Sequence, residues 1–161
     1  MRDESPTCIV DPGLEPADTE HSAATWPAHS DPDKSDPELD HFITRDGATY
    51  AGCHLIVDLW GAKQLNDTRL MEQVFRDTVE ACGATLLHIH MHHFTPNGGV
   101  SGVAVLAESH ISVHSWPERD YAAFDIFMCG DAEPENAIPV FQRAFSPERI
   151  EVEEYLRGRL R

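Results

Sequence analysis

Residues 100–129, VSGVAVLAESHISVHSWPERDYAAFDIFMC, read as three strands in immediate succession. VSGVAVLAES and HISVHSW are apolar runs broken near 108–110, and YAAFDIFMC alternates apolar and polar residues as a half-buried strand does. No helix fits between them, so they cannot be parallel strands joined by crossovers. Upstream, YAGCHLIVDLWGA is a strand that begins near Tyr50, with Cys53, Leu55, Val57 and Leu59 on one face. NDTRLMEQVFRDTVEACG reads as a helix: Asn66 or Asp67 caps it, Leu70, Met71, Val74, Phe75, Thr78, Val79 and Cys82 keep the 3.6 period, and Gly83 stops it. ATLLHIHMHHF (84–94) is a strand followed by the turn TPNGG. EPENAIPVFQRAF is a helix weakened in its middle by Pro139, and RIEVEEYL is a last strand. The order β-α-β-β-β-α-β implies an α+β fold, a two-layer sandwich of an antiparallel sheet with both helices on one face. A nucleotide-binding βαβαβ unit with its glycine fingerprint is absent.

Residues 1–45 differ from the rest. They hold six of the eleven prolines, and residues 1–41 carry eleven acids against Arg2 and Lys34, a net −9 of the chain's −16. Such a segment cannot bury enough apolar area to offset its ordering entropy, so 1–45 reads as a disordered acidic tail and 46–161 as one domain. The negative charge excludes a nucleic-acid binder. With neither a signal peptide nor an apolar run of membrane-spanning length, a cytoplasmic protein is expected. The four cysteines form no C-x-x-C pair and read as free thiols.

Two features carry chemistry. His88, His90 and His92 alternate in HIHMHH and share one strand face, as imidazoles reaching for one metal would. No further local carboxylate or general base completes such a site, and imidazoles that line a cavity, pair with acids or cover an interface fit the pattern better; no metal is assigned. The second feature is Glu108-Ser109, at the end of an apolar run where packing would prefer an aliphatic residue. A hydrolase nucleophile does not fit, because the Gly-x-Ser-x-Gly elbow is missing and Ser109 and His110 point to opposite faces of a strand.

The block from 94 to 130, FTPNGGVSGVAVLAESHISVHSWPERDYAAFDIFMCG, closely resembles the prokaryotic S-adenosylmethionine decarboxylases. Proenzymes of that family cleave themselves at a Glu-Ser bond within ESH-x-x-x-H-[ST]-W-P-E. The resemblance runs from about Gly52 to the C-terminus. It implies cleavage between Glu108 and Ser109, with Ser109 converted to a pyruvoyl group, the only cofactor, which forms a Schiff base with the substrate's α-amine. It further implies that Ser101 holds the oxyanion during processing, that His114 is the processing base, and that Cys129 protonates the carbanion after CO2 leaves. Ser109 and His114 face opposite ways on one uninterrupted strand, so a bend is expected between them.

The family's substrate contacts fall on Phe94 and Trp116 for stacking on adenine and on Glu118 for the ribose hydroxyls. Where relatives commonly read GRHLxxE, this chain reads GCHLIVD, which leaves Asp58 one methylene short of the usual glutamate. The implied activity is decarboxylation of S-adenosylmethionine for spermidine synthesis, by a homodimer with Phe94 contributed across the interface. Relatives with the same processing motif act on ornithine or arginine; a His-cluster metal protein and a non-catalytic homologue are the other readings.

Overall fold

The computed structural model describes residues 41–160. Most of the acidic tail, residues 1–40, therefore lies outside the described residues, as does Arg161.

A six-stranded antiparallel sheet carries both helices on one face. Its strands, in chain order after a small hairpin, are β3 (Gly52–Trp60), β4 (Leu86–His93), β5 (Val100–Leu106), β6 (Ser109–Trp116), β7 (Tyr121–Met128) and β8 (Arg149–Arg157); the spatial order is β4-β5-β6-β7-β3-β8. Helix α1 (Thr68–Ala81) crosses from β3 to β4, and α2 (Ala137–Phe145) from β7 to β8. The sandwich expected from the sequence is the fold observed.

Alternation explains the layers. Cys53, Leu55, Val57 and Leu59 of β3, Ile111 and Val113 of β6, and Ala122, Phe124, Ile126 and Met128 of β7 are all buried on the helix side. α1 presents Met71, Val74, Phe75, Thr78 and Val79 to them, and α2 presents Val140, Phe141 and Phe145. Phe124 touches both helices, stacking on Phe141 at 4.3 Å and lying 6.3 Å from Phe75. Asp67 caps α1 by accepting from the N–H groups of Arg69 and Leu70, and Gly83, at φ +70°, turns the chain away from its end.

Two differences from the sequence reading have local causes. Pro139 does not weaken the second helix, because a 3-10 turn (Pro134–Asn136) precedes α2 and places the proline in the first turn, where no N–H is needed. The second difference is a hairpin ahead of the first expected strand, β1 (Ile43–Arg45) with β2 (Ala48–Tyr50), so that ordered structure extends into residues assigned to the tail. Its strands are too short to show alternation. The legible signal was Asp46-Gly47, whose φ values of +50° and +75° are those a tight hairpin turn requires.

Candidate active site

Among the described residues, no helix lies on the second face of the sheet. Because directly paired residues of an antiparallel ladder share a face, the register fixes what stands there. His92, Ser101, His114, Ala123 and Asp58 form one row across β4, β5, β6, β7 and β3. Trp116, Tyr121 and Trp60 form the next, and His110, Phe127 and His54 lie two rows the other way.

At one end of this face the Ser101 hydroxyl and His114 Nδ1 lie 2.7 Å apart. Beside them opens a cleft of about 250 Å³ lined by Phe94, Asn97, Trp116 and Glu118 as well as by the pair itself. Phe94 follows β4 and is held by a closed loop, its N–H donating to Gly99 O (2.8 Å) and its carbonyl accepting from Gly98 N–H (2.9 Å). Ser115, buried beneath, donates to Leu65 O and accepts from Val100 N–H, both at 2.8 Å, which fixes the β5–β6 floor. Phe94 and Trp116 remain 48% and 41% exposed, so each ring keeps part of its surface open to a flat ligand. Five residues expected from the sequence, Phe94, Ser101, His114, Trp116 and Glu118, thus meet in one cleft.

Asp58 does not line it. Its carboxylate accepts from the Tyr121 hydroxyl at 2.5 Å, and Tyr121 stacks on Trp116 at 5.3 Å. Burial, and then the Asp58 carboxylate, push the Tyr121 phenol up to about 12. Asn97, Ser115 and Tyr121 escaped the sequence reading; only the register that brings Tyr121 opposite Trp116 marks it out.

Ser109 and Cys129 sit at the opposite end of β6. The Glu108 carbonyl accepts from Cys129 N–H at 3.2 Å and from the Cys129 thiol at 2.9 Å, while the Ser109 hydroxyl lies 3.9 Å from Cys129 Sγ. Glu108 is anchored at its side chain as well, where Oε2 accepts from Thr85 N–H at 2.9 Å. Ser109 has φ +152°, a conformation that side chains rarely adopt and that stores strain beside the Glu108-Ser109 peptide. Burial pushes the Cys53 and Cys82 thiols up to about 12, so neither is a thiolate near neutrality.

The expected bend between Ser109 and His114 is absent. β6 pairs with β7 without a break from Ser109↔Met128 to Trp116↔Tyr121. The irregular backbone sits at Ser109 itself, and five residues of extended strand then separate it from His114, roughly 16 Å at the usual rise. One chain therefore carries two groups of these residues that do not touch.

His88, His90 and His92 share the open face but stand opposite Val105, Val103 and Ser101, strung along β4 rather than converging. Among the described residues no three His, Cys, Asp or Glu side chains are grouped to hold a metal. His92 instead packs its ring edge-on against Phe94, with centroids 4.6 Å apart.

Comparison with known proteins places both groups within one matched segment. The family described as S-adenosylmethionine decarboxylase matches residues 53–158. An S-adenosylmethionine decarboxylase proenzyme of Thermomicrobium roseum is 46% identical over 108 residues, covering 66% of this chain and 93% of that protein. One from Methanococcus maripaludis is 48% identical over 110 residues, covering 66% and 89%. Among solved structures, the adenosylmethionine decarboxylase of Aquifex aeolicus superposes with a TM-score of 0.63 at 29% identity, over 70% of this chain and 94% of that one.

Proposed function

The chain belongs to the S-adenosylmethionine decarboxylase family, and from that premise we propose that it cuts itself between Glu108 and Ser109 and then decarboxylates S-adenosylmethionine, yielding the aminopropyl donor for spermidine synthesis. The observation that carries this reading is the scissile carbonyl held by two donors of Cys129, next to a serine in a strained backbone conformation.

The Ser109 hydroxyl adds to the Glu108 carbonyl carbon, and the oxygen that gains charge stays within reach of Cys129 N–H and Sγ–H, donors already aimed at it. Collapse breaks the C–N bond, leaves an ester and frees the amine of residue 109, relieving the strain at that residue. Removal of the Ser109 α-proton by a base expels the Glu108 carboxylate. Hydrolysis of the resulting dehydroalanine releases ammonia and leaves a pyruvoyl group at the head of 109–161. The residues present suit that group, since the Cys129 thiol and the anchored Glu108 place hydrogen-bonding atoms beside residue 109. The group supplies an electron sink for the loss of CO2. Cys129, 3.9 Å from the residue-109 side chain, returns a proton to the carbon that has lost CO2.

Ser101 and His114 reach this chemistry from a second copy of the chain. Their roles need contact with residue 109, which the straight β6 denies them within one protomer. The open face also leaves Val103, Val105, Ile56, Trp60 and Tyr155 between 36% and 48% exposed, an apolar surface of the kind that pairs with another. In a two-fold dimer with open faces together, the Ser109–Cys129 end of one chain meets the Ser101–His114 end of the other, twice. Adenine then lies between Phe94 and Trp116, the ribose hydroxyls donate to Glu118, and Asp58 acts indirectly by fixing Tyr121 against Trp116.

Mixed dimers test this arrangement. Neither Ser109→Ala nor His114→Ala should cleave alone. Co-expressed, the His114→Ala chain should be cut in mixed dimers, because it keeps Ser109 and borrows His114. Mixed dimers that stay whole would end the shared-site reading. Intact mass of the wild type should show fragments 1–108 and 109–161, and CO2 should come from S-adenosylmethionine and not from ornithine or arginine. An uncut wild-type chain would end the processing reading, and CO2 from either amino acid would end the adenosyl assignment.

A further inference from the structure

The β1–β2 hairpin lies ahead of the segment that matches the family, which begins at Cys53, yet it packs against the turn that follows Cys129. His41, just before β1, accepts at its carbonyl from Gly130 N–H at 2.6 Å. Gly130 has φ +63° and turns the chain off β7 directly after Cys129; a Cβ there would stand 3.4 Å from His41 Nδ1. Arg45 holds the hairpin in place. Its guanidinium pairs with Glu154 of β8 and, at 3.4 Å, with Glu135 of the 3-10 turn, so it ties three segments together. The hairpin's other strand is fixed where Leu160 N–H donates to Thr49 O at 2.8 Å.

We propose that the Arg45-anchored hairpin is a positioning element for Cys129, and that Arg45 is its key residue. This rests on the role of Cys129 given above. The thiol and N–H of Cys129 both reach the Glu108 carbonyl, and the Cys129–Gly130 peptide that follows helps to hold the Cys129 Cα, and with it the side chain, in place at the end of β7. With Gly130 N–H bound by His41 O, that backbone has one conformation. Released, a glycine reaches several, and the thiol wanders from the carbon it must protonate. Arg45 touches neither substrate nor reacting atoms and acts only through the hairpin.

The full chain carrying Arg45→Ala, Arg45→Lys or Glu135→Gln supplies the test. Three quantities are read: hydrogen exchange at the Gly130 amide, site-resolved alkylation of Cys129 by iodoacetamide, and kcat and KM separately. Arg45→Ala should speed both exchange and alkylation and lower kcat, each about 5-fold, the effect expected for a partly exposed ion-pair network, with KM unchanged. Arg45→Lys should recover part of each loss, and Glu135→Gln should show a weaker version of the same pattern. Exchange and alkylation at wild-type rates in both Arg45→Ala and Glu135→Gln would overturn the proposal, as would a rise in KM without a change at the thiol. If the wild-type chain proved neither self-cleaving nor a decarboxylase, the enzymatic reading would fail. Exchange and alkylation would still decide whether the hairpin braces Cys129.

Discussion

The two faces of the central sheet are built from alternate residues of the same strands and do opposite work. Val113 is fully buried under the helices, while its neighbour His114 faces outward, bonded to Ser101. Phe124 sits in a cluster of aromatic rings, while Asp125 lies 3.5 Å from His54 on the open side. One step along a strand thus changes a residue's role from filling volume to presenting chemistry. On the helix face a side chain is judged by its shape against α1 and α2. On the open face it is judged by which residue the register places opposite.

Substitutions at adjacent positions can break that comparison. The largest effect belongs to Ser109→Ala, which should leave a single uncut chain of about the full 18.0 kDa and no decarboxylation at all, with thermal stability close to the wild type; intact mass and a melting curve check both. Cys129→Ala should still cut, more slowly, because the backbone N–H still donates to the Glu108 carbonyl. Its kcat should fall by about 10²–10⁴-fold, as for a missing general acid, measured as released CO2 on fully processed enzyme. On the other face Phe124→Ala should lower unfolding free energy by about 3–5 kcal/mol, whereas Asp125→Ala should leave it nearly unchanged in the same urea titration. Equal losses at 124 and 125 would dissolve the distinction between the faces.

The smallest effect concerns His110, whose imidazole is held below its ordinary value of 6.5 by burial and then by the charge of His54; Arg157 acts the same way and Asp125 opposes them. The folded protein therefore resists protonating His110 more than the unfolded chain does. Its contribution to stability is complete above 6.5 and is lost as the pH falls below that value. Urea midpoints should drop more between pH 7 and 5 in the wild type than in His110→Gln.

The helix face was legible without coordinates. Period-2 runs at Cys53–Leu59 and Ala122–Met128 and the 3.6-period stripe from Leu70 to Cys82 each record one buried side, because burial acts on every residue of a face and so repeats along the chain. Five cleft residues were legible through a motif resemblance and not through periodicity, since a cleft imposes no repeat. Asp46-Gly47 announced the hairpin to a reader of turns, but nothing near it revealed that His41 would bond to Gly130, 89 positions away.

What the sequence determined by itself was local: which segments are strands or helices, which side of each is apolar, and which serine stands at the strained bond. Tertiary structure alone decided which of those residues meet. The length of a straight β6 set Ser109 and His114 apart although they are only five residues distant, and the β6–β7 register seated Tyr121 on Trp116. Strand pairing is settled by contacts between segments remote in sequence, whose energies exist only once the chain has closed on itself. No local pattern can record them.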